Sequence, residues 1–297
     1  MLVNKTRNPG LACLLNSTGF KDINSTTVSF GLAPRINACG RMGFEEEALK
    51  LFLTDNLEEA KSITMELNNY NKQRQEIEQD IFKDAINQIV KNNMEKDPII
   101  VVGGENWHHG VIGIVSSKIT DLYYKPSILV CFEGENAKGS GRSIPGFDLH
   151  NALCSVGDCL TKYGGHEMAI GLSLEKKNFD LFKEKIEEIA RKSNLNEFTP
   201  IIKMDKELSV KDITEDNILE LKKLEPFGES NKMPLFLYKN LKIDSIRSLS
   251  EGRHLKLTLR DDMNNIIISA IGFNMGNLVQ DYRLFDKVDI VRNVRIK

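Results

Sequence analysis

Apolar residues recur at Ala60, Ile63, Leu67, Tyr70, Ile77, Ile81, Ala85 and Ile89, in steps of three, four or seven. That spacing marks one face of a helix. No glycine or proline interrupts the pattern before Pro98, and 55-DNLE-58 offers Asp55 as an N-cap with Glu58 completing a capping box. A helix of about 38 residues would be on the order of 55 Å long. It is either one member of a bundle or a strut joining two domains, and its length favours the strut. A short helix, EEEALKLFL, precedes it. After Pro98 the pattern shortens. PIIVVGG (98–104) and SILVCF (127–132) are continuous apolar runs of buried-strand length, 138–144 is small and extended, and EMAIGLSL (167–174) reads as another strand. Between and after them, 110–123, 148–163 (with Asp148 as N-cap) and 178–192 have helical spacing. Strands rich in Ile and Val between helices predict an α/β layer.

From residue 200 the character changes again. A short helix at 215–224 and a proline-bounded turn at 225–234 precede four stretches, 235–249, 254–261, 266–273 and 287–296. Their shortness and the intervening turn signals predict a small all-β barrel or sandwich whose last strand runs into the C-terminus, so that the barrel is partly truncated. Residues 1–44 carry glycines and prolines and read as loop-rich, like the tail of something larger. The expected organisation is 1–44, 45–96 (connecting helices), 97–195 (α/β) and 196–297 (all-β).

Composition narrows the class without naming a function. The 297 residues suffice for two cores, and a net charge of −2 argues neither for nor against nucleic acid, because a basic groove can sit on a neutral protein. No apolar run approaches a membrane span, and the N-terminus makes no convincing signal peptide. The cysteines (Cys13, Cys39, Cys131, Cys154, Cys159) are scattered and form no CxxC pair. They read as reduced thiols of a cytoplasmic protein. HExxH, GxSxG, the P-loop pattern and clustered metal-binding aspartates are all missing from the sequence.

Four segments could carry chemistry. In 162-KYGGHEMAIGLSL-174, Gly164 and Gly165 would let an anion approach the backbone and His166 would add a donor; a C-cap glycine pair opening a strand is the plainer alternative. In 139-GSGRS-143, Ser140 and Arg142 share one face of an extended chain, where a hydroxyl and a guanidinium match a phosphate; a flexible turn is the alternative. In 107-WHHGVIGIV-115 a helix opens at Gly110, and the adjacent His108 and His109 are poor partners for one metal. In 34-PRINACGR-41, Arg35, Asn37 and Arg41 are polar groups in a Gly/Pro-framed stretch, where solvated arginines are common.

Taken in order, PRINACGRMG, WHHGVIGIV, KGSGRSI and YGGHEMAIG, followed by LEPFGESNKMPLF and HLKL, resemble the RecJ family of the DHH/DHHA1 phosphoesterase superfamily, the single-strand-specific 5′→3′ DNA exonucleases. The resemblance implies an α/β DHHA1 domain with a long connecting helix, then an OB-fold. It also implies that residues 1–44 are the end of a DHH domain whose DHH triplet and metal-binding aspartates are not in this sequence. Two Mn²⁺ or Mg²⁺ ions would act in the full enzyme; none is expected on this chain, which alone would be inactive. By the same resemblance Ser140 and Arg142 hold a phosphate near the 5′ end. Gly164, Gly165 and His166 contact the scissile phosphate, with His166 in a supporting catalytic role, and Arg35, Asn37 and Arg41 line the entrance or steady the backbone. The OB-fold would offer a groove for single-stranded DNA, with Phe227, Phe236, Tyr238 and Phe273 as stacking candidates, most of them more suited to a core. Implied partners are single-stranded DNA, a single-strand-binding protein and a recombination helicase, with no membrane, in DNA repair and recombination. A DHHA1-type phosphoesterase for short RNA or cyclic dinucleotides and a non-catalytic nucleic-acid-binding module are the alternatives.

Overall fold

The computed structural model describes residues 6–20, 23–193 and 199–294. It divides into two units, Met1–Pro200 and Ile201–Lys297.

The first unit opens with helices, not the loops expected of residues 1–44: α1 (Pro9–Ser17), α2 (Ser25–Thr27), a π-helical turn (Val28–Leu32) and α3 (Ala33–Met42). The prolines and glycines that suggested loops have helical uses here. Pro9 stands in the first turn of α1, where its missing N–H costs nothing, and the Asn8 side chain caps that helix by accepting from the Leu11 N–H at 2.8 Å. Pro34 sits in the first turn of α3. Gly10 lets α1 lie against the Leu51 carbonyl of α4 (Glu45–Leu53), where an added Cβ would collide. Leu14, Leu15, Leu32, Cys39 and Leu51 pack onto Ala60, Ile63 and Leu67 of α5 (Leu57–Lys91). The cap of α5 is Asn56, one residue later than expected, its side chain accepting from the N–H groups of Glu58 (2.9 Å) and Glu59 (3.2 Å).

The second half of α5 belongs to another cluster. Ile81, Ala85 and Ile89 meet Ile100 and Val102 of β1 (Ile100–Glu105) and Val111, Val115 and Ile119 of α6 (His109–Tyr123). Trp107 closes this cluster and donates its Nε1–H to Asp84 at 2.9 Å. The sheet continues through β2 (Ser127–Glu133) and β3 (Asn136–Arg142), then α7 (Leu149–Cys154), β4 (Lys162–His166), β5 (Ala169–Glu175) and α8 (Phe179–Lys192). Its strand order is β1-β2-β3-β5-β4, with β1 and β2 parallel across α6 and the remaining pairs antiparallel. On the face away from α6, Val101, Ile128, Val130, Ile170 and Leu172 pack against Phe182 and Ile186 of α8 and Leu153 of α7.

One expectation fails in a way that matters for the site. The helix expected over 148–163 ends at Cys154; a 3-10 turn at Gly157–Cys159 follows, and Lys162–His166 is the edge strand. Asp148 caps α7 as expected, accepting from the Asn151 N–H at 2.9 Å. The glycine pair therefore lies in a β-hairpin with a two-residue turn at Glu167 and Met168, not at a helix end.

The second unit contains β6 (Lys206–Glu207), α9 (Glu215–Lys222), β7 (Phe236–Leu249), β8 (His254–Asp261), β9 (Ile266–Gly272) and β10 (Lys287–Arg292). Arg295 and Ile296, expected in the last strand, lie outside the described residues. The sheet runs β10-β7-β8-β9 with β6 beside β7, and among the described residues no pairing joins β9 to β10. It is an open, partial OB sheet rather than a closed barrel. Phe236 and Tyr238 are in its core with Leu241, Ile243 and Leu259, which removes them as stacking platforms. Phe227 is half-buried, while Phe273 is exposed and meets His254 edge-on at 5.3 Å.

Candidate functional site

In an antiparallel sheet, residues paired across strands point to the same face. The register of β3, β5 and β4 places Arg142, Ala169 and His166 in one row and Ser140, Gly171 and Gly164 in the next. This face is the one covered in part by α6: a Cβ at Gly113 would stand 2.9 Å from Ser140 Oγ and 3.3 Å from Arg142 Nη2. The helix does not cover β4, whose residues are all exposed. The result is a ledge, with Ser140 and Arg142 at its back under α6 and bare backbone toward its rim.

The glycines of the ledge fall into two kinds. Gly165 has φ +142°, a conformation that side chains rarely adopt, and an added Cβ would collide with the Ala169 carbonyl oxygen. Its reason is internal to the hairpin. Gly164 and Gly171 have no such reason: neither has positive φ, and nothing lies within 4 Å of where a Cβ would be. The fold has room for side chains there, so what the two glycines keep clear is the surface itself. They form part of the floor of a cleft of about 430 Å³ between the start of α6 and the sheet.

The cations at the back of the ledge are unusually placed. Arg142 Nη1 donates to the Gly141 carbonyl (2.8 Å) and to Ser140 Oγ (3.2 Å), and Ser140 Oγ donates to the Ile170 carbonyl at 3.4 Å. Arg41, at the end of α3, donates to the Gly110 carbonyl at 3.0 Å, and Gly110 in turn lets α6 rest against the Arg41 backbone. Neither guanidinium has a carboxylate partner among the described residues. Burial holds the Arg142 pKa below its ordinary value, and the charge of Arg41 adds to the effect. Burial lowers that of Arg41 as well, Arg74 lowering it further and Glu78 opposing. Two half-buried cations that repel one another would both be stabilised by a nearby anion. Behind them Glu78 is ion-paired with both Arg74 and Lys118, and Arg74 Nη2 donates to Asn71 Oδ1 at 2.7 Å.

The structure thus gathers Ser140, Arg142, Gly164 and His166 on one sheet face and sets Arg41 beside Arg142. His166 Nδ1 accepts from the Met168 N–H at 3.3 Å, which leaves Nε2 as the donor of the neutral ring. Arg35 is committed elsewhere, its Nε–H donating to Asn68 (2.6 Å) and its Nη1 to the Gly31 carbonyl (2.6 Å). Asn37 is exposed on α3 four residues before Arg41. Sequence reasoning missed Gly171, Lys138 and Lys162, which join this face only through strand register; period-two spacing from Ser140 was the available signal for Lys138.

At the head of α6, His108 is the N-cap, its Nδ1 accepting from the Gly110 N–H at 3.1 Å. The ring packs against His109 at 5.2 Å. Burial, then the neighbouring His109, lowers the His108 pKa below 6.5. A histidine whose folded pKa is depressed takes up its proton more readily when unfolded, so its contribution is present above about pH 6.5 and is lost as pH falls through the folded value. Urea titrations should show stability declining below that pH, and His108→Asn, a cap that does not titrate, should remove this part of the decline. An identical pH dependence in the two proteins would contradict the assignment.

Among the described residues no three His, Cys, Asp or Glu side chains cluster as a metal-binding group.

Residues 96–192 match the model of the DHHA1 domain, and residues 204–297 that of the RecJ OB domain. The class is therefore a DHHA1-domain protein carrying an OB domain. Over almost its whole length the chain resembles part of RecJ. It is 32% identical to the single-stranded-DNA-specific exonuclease RecJ of Bacillus subtilis over 99% of its own length, which is 38% of that protein. It is 35% identical to RecJ of Thermus thermophilus over 84% of its own length and 36% of the relative's. The crystal structure of the Thermus thermophilus RecJ in complex with Mg²⁺ superposes with a TM-score of 0.82 at 30% identity, covering 99% of this chain and 44% of that one. The Mn²⁺ complex gives 0.76 at 32% identity, covering 90% and 39%. The chain spans less than half the length of these relatives. No helix among the described residues is long and apolar enough to cross a membrane.

Proposed function

We propose that this chain is the strand-binding portion of a RecJ-type 5′→3′ exonuclease, and that its ledge receives the phosphates at the 5′ end of single-stranded DNA. The observation that carries the reading is the pair of half-buried guanidiniums, Arg41 and Arg142, lacking a carboxylate and standing beside a floor kept bare by Gly164 and Gly171. A terminal phosphate would accept from the Arg142 fork and Ser140 Oγ. His166, in the same row as Arg142, would donate from Nε2 to the phosphate next to be cut, and Gly165 would hold the hairpin that presents it. Arg41 would add positive potential, with Asn37, exposed one turn earlier on the same helix, farther along the approach. The matched crystal structures are complexes with Mg²⁺ and with Mn²⁺; on this reading such ions are held by residues outside this chain, which binds without cutting. The same reading places the protein in the cytoplasm, with its five free thiols reduced, in DNA repair and recombination beside a single-strand-binding protein and a helicase.

The test is affinity for a single-stranded oligonucleotide with and without a 5′-phosphate. The wild-type chain should prefer the phosphorylated strand, and Arg142→Ala should weaken its binding by about 10- to 100-fold, the scale of one or two charged hydrogen bonds. Arg142→Lys should recover little of this, since a point charge does not replace the fork. Indifference to the end group, unchanged by Arg142→Ala, would sink the proposal.

A further inference from the structure

The sheet face carries a third row. Two residues beyond Ser140, the register aligns Lys138 with Ser173 and Ser173 with Lys162. Each row lies about 6.8 Å from the next along the strands, so Lys138 and Lys162 stand about 14 Å from the row of Arg142 and His166. Both lysines line the cleft of about 430 Å³, on the far side of Gly164 and Gly171. Lys162 makes no ion pair among the described residues. Lys138 lies 3.0 Å from Glu133 Oε2, and His109 Nδ1 lies 3.2 Å from the other oxygen of that carboxylate. The Lys138 hydrogen bond holds the Glu133 pKa below its usual range, so the rim carries one anion against the two lysines.

The middle row is what connects the outer two. Gly164 and Gly171 leave a strip of uncovered backbone running from the arginine to the lysines, and no packing or torsional demand of the fold accounts for it. A chain of phosphates laid along that strip meets a guanidinium at one end and ammonium groups at the other. The separation is comparable to that of next-nearest phosphates in an extended strand. We propose that Lys138, Ser173 and Lys162 form a second phosphate subsite, which holds an internal phosphodiester of the strand whose terminal phosphate sits at Ser140 and Arg142. The subsite rests on the reading of the ledge as a 5′-end site. It adds a register: the backbone crosses the glycine strip from one row to the other, and exposed lysines secure it downstream of the end.

The experiment measures binding of thymidine 5′-monophosphate and of 5′-phosphorylated oligothymidylates lengthened one nucleotide at a time, over a range of salt. Affinity of the wild-type chain should rise over the first few nucleotides added. In Lys138→Ala/Lys162→Ala that gain should shrink about five- to tenfold at low salt, and the slope of log affinity against log salt should flatten by about 0.7 for each phosphate no longer neutralised. Lys138→Arg/Lys162→Arg should restore both. The same length increments and salt slope in the alanine variant as in wild type would overturn the subsite. The two proposals separate by what changes: Arg142→Ala reports on preference for a phosphorylated end, and the lysine variant on length. Loss of the length increment with no end preference would support the lysine row and overturn the 5′-end reading. An end preference with unaltered increments would do the reverse.

Discussion

Glu78→Ala should destabilise the first unit by about 3–5 kcal/mol, the cost of removing one partner from a buried ion pair. Glu78 is 5% exposed and is the carboxylate to which both Arg74 and Lys118 are paired. Lys118 is half exposed and can turn to water, but the Arg74 side chain is only 12% exposed and cannot. Without Glu78 the Arg74 cation would be left buried with Asn71 as its remaining partner and with Arg41 close enough to repel it. Glu78→Gln keeps the shape and the acceptor but not the charge, and should recover part of the loss. Urea unfolding followed by circular dichroism measures both. A loss under about 1 kcal/mol for the alanine variant, the range of a surface pair, would mean that the network is solvated and that α5 and α6 are not held by it.

Gly165→Ala should cost about 3 kcal/mol or more, combining a backbone torsion that alanine rarely adopts with a Cβ that overlaps the Ala169 carbonyl. Gly164→Ala, one residue earlier, should cost little stability, because its Cβ would project into open space. The same Gly164→Ala change should nevertheless weaken binding of a 5′-phosphorylated strand, since it raises the floor of the ledge. Two adjacent glycines are thus expected to separate a folding requirement from a ligand requirement. Equal unfolding midpoints for the two variants would show that the hairpin relaxes around Gly165, and unimpaired binding by Gly164→Ala would show that the floor is not approached.

Much of the architecture could be read from periodicity. β7, β8 and β9 begin and end within one residue of the stretches that the turn signals bound, and α5 within a few residues of its run of helically spaced apolar positions. The errors have physical causes. Pro9, Gly10, Gly31 and Pro34 resemble loop punctuation, yet proline in a first turn and glycine at a helix contact are helical uses that become visible only once α5 supplies a surface to pack on. The helix from Asp148 was carried too far because Leu160 and Tyr163 kept up an apolar rhythm beyond Gly157. For the site, period two was enough to put Ser140 and Arg142 on one face. It could not place Gly171 beside Ser140, or Lys162 in the row of Lys138, because register between strands distant in sequence is set by the core on the other side of the sheet. Reading 34–41 as a loop also grouped Arg35 with Arg41. On a helix the two project from different sides, and only Arg41 meets α6.

The unbroken α5 is shared by two apolar clusters that lie at its opposite halves, one with α1, α3 and α4, the other with β1 and α6. Neither cluster can melt without stripping half of that helix of its partners, and a helix so deprived propagates fraying into the half that remains. The two clusters are thereby made thermodynamically interdependent, and heating should dissolve them in a single calorimetric transition instead of two.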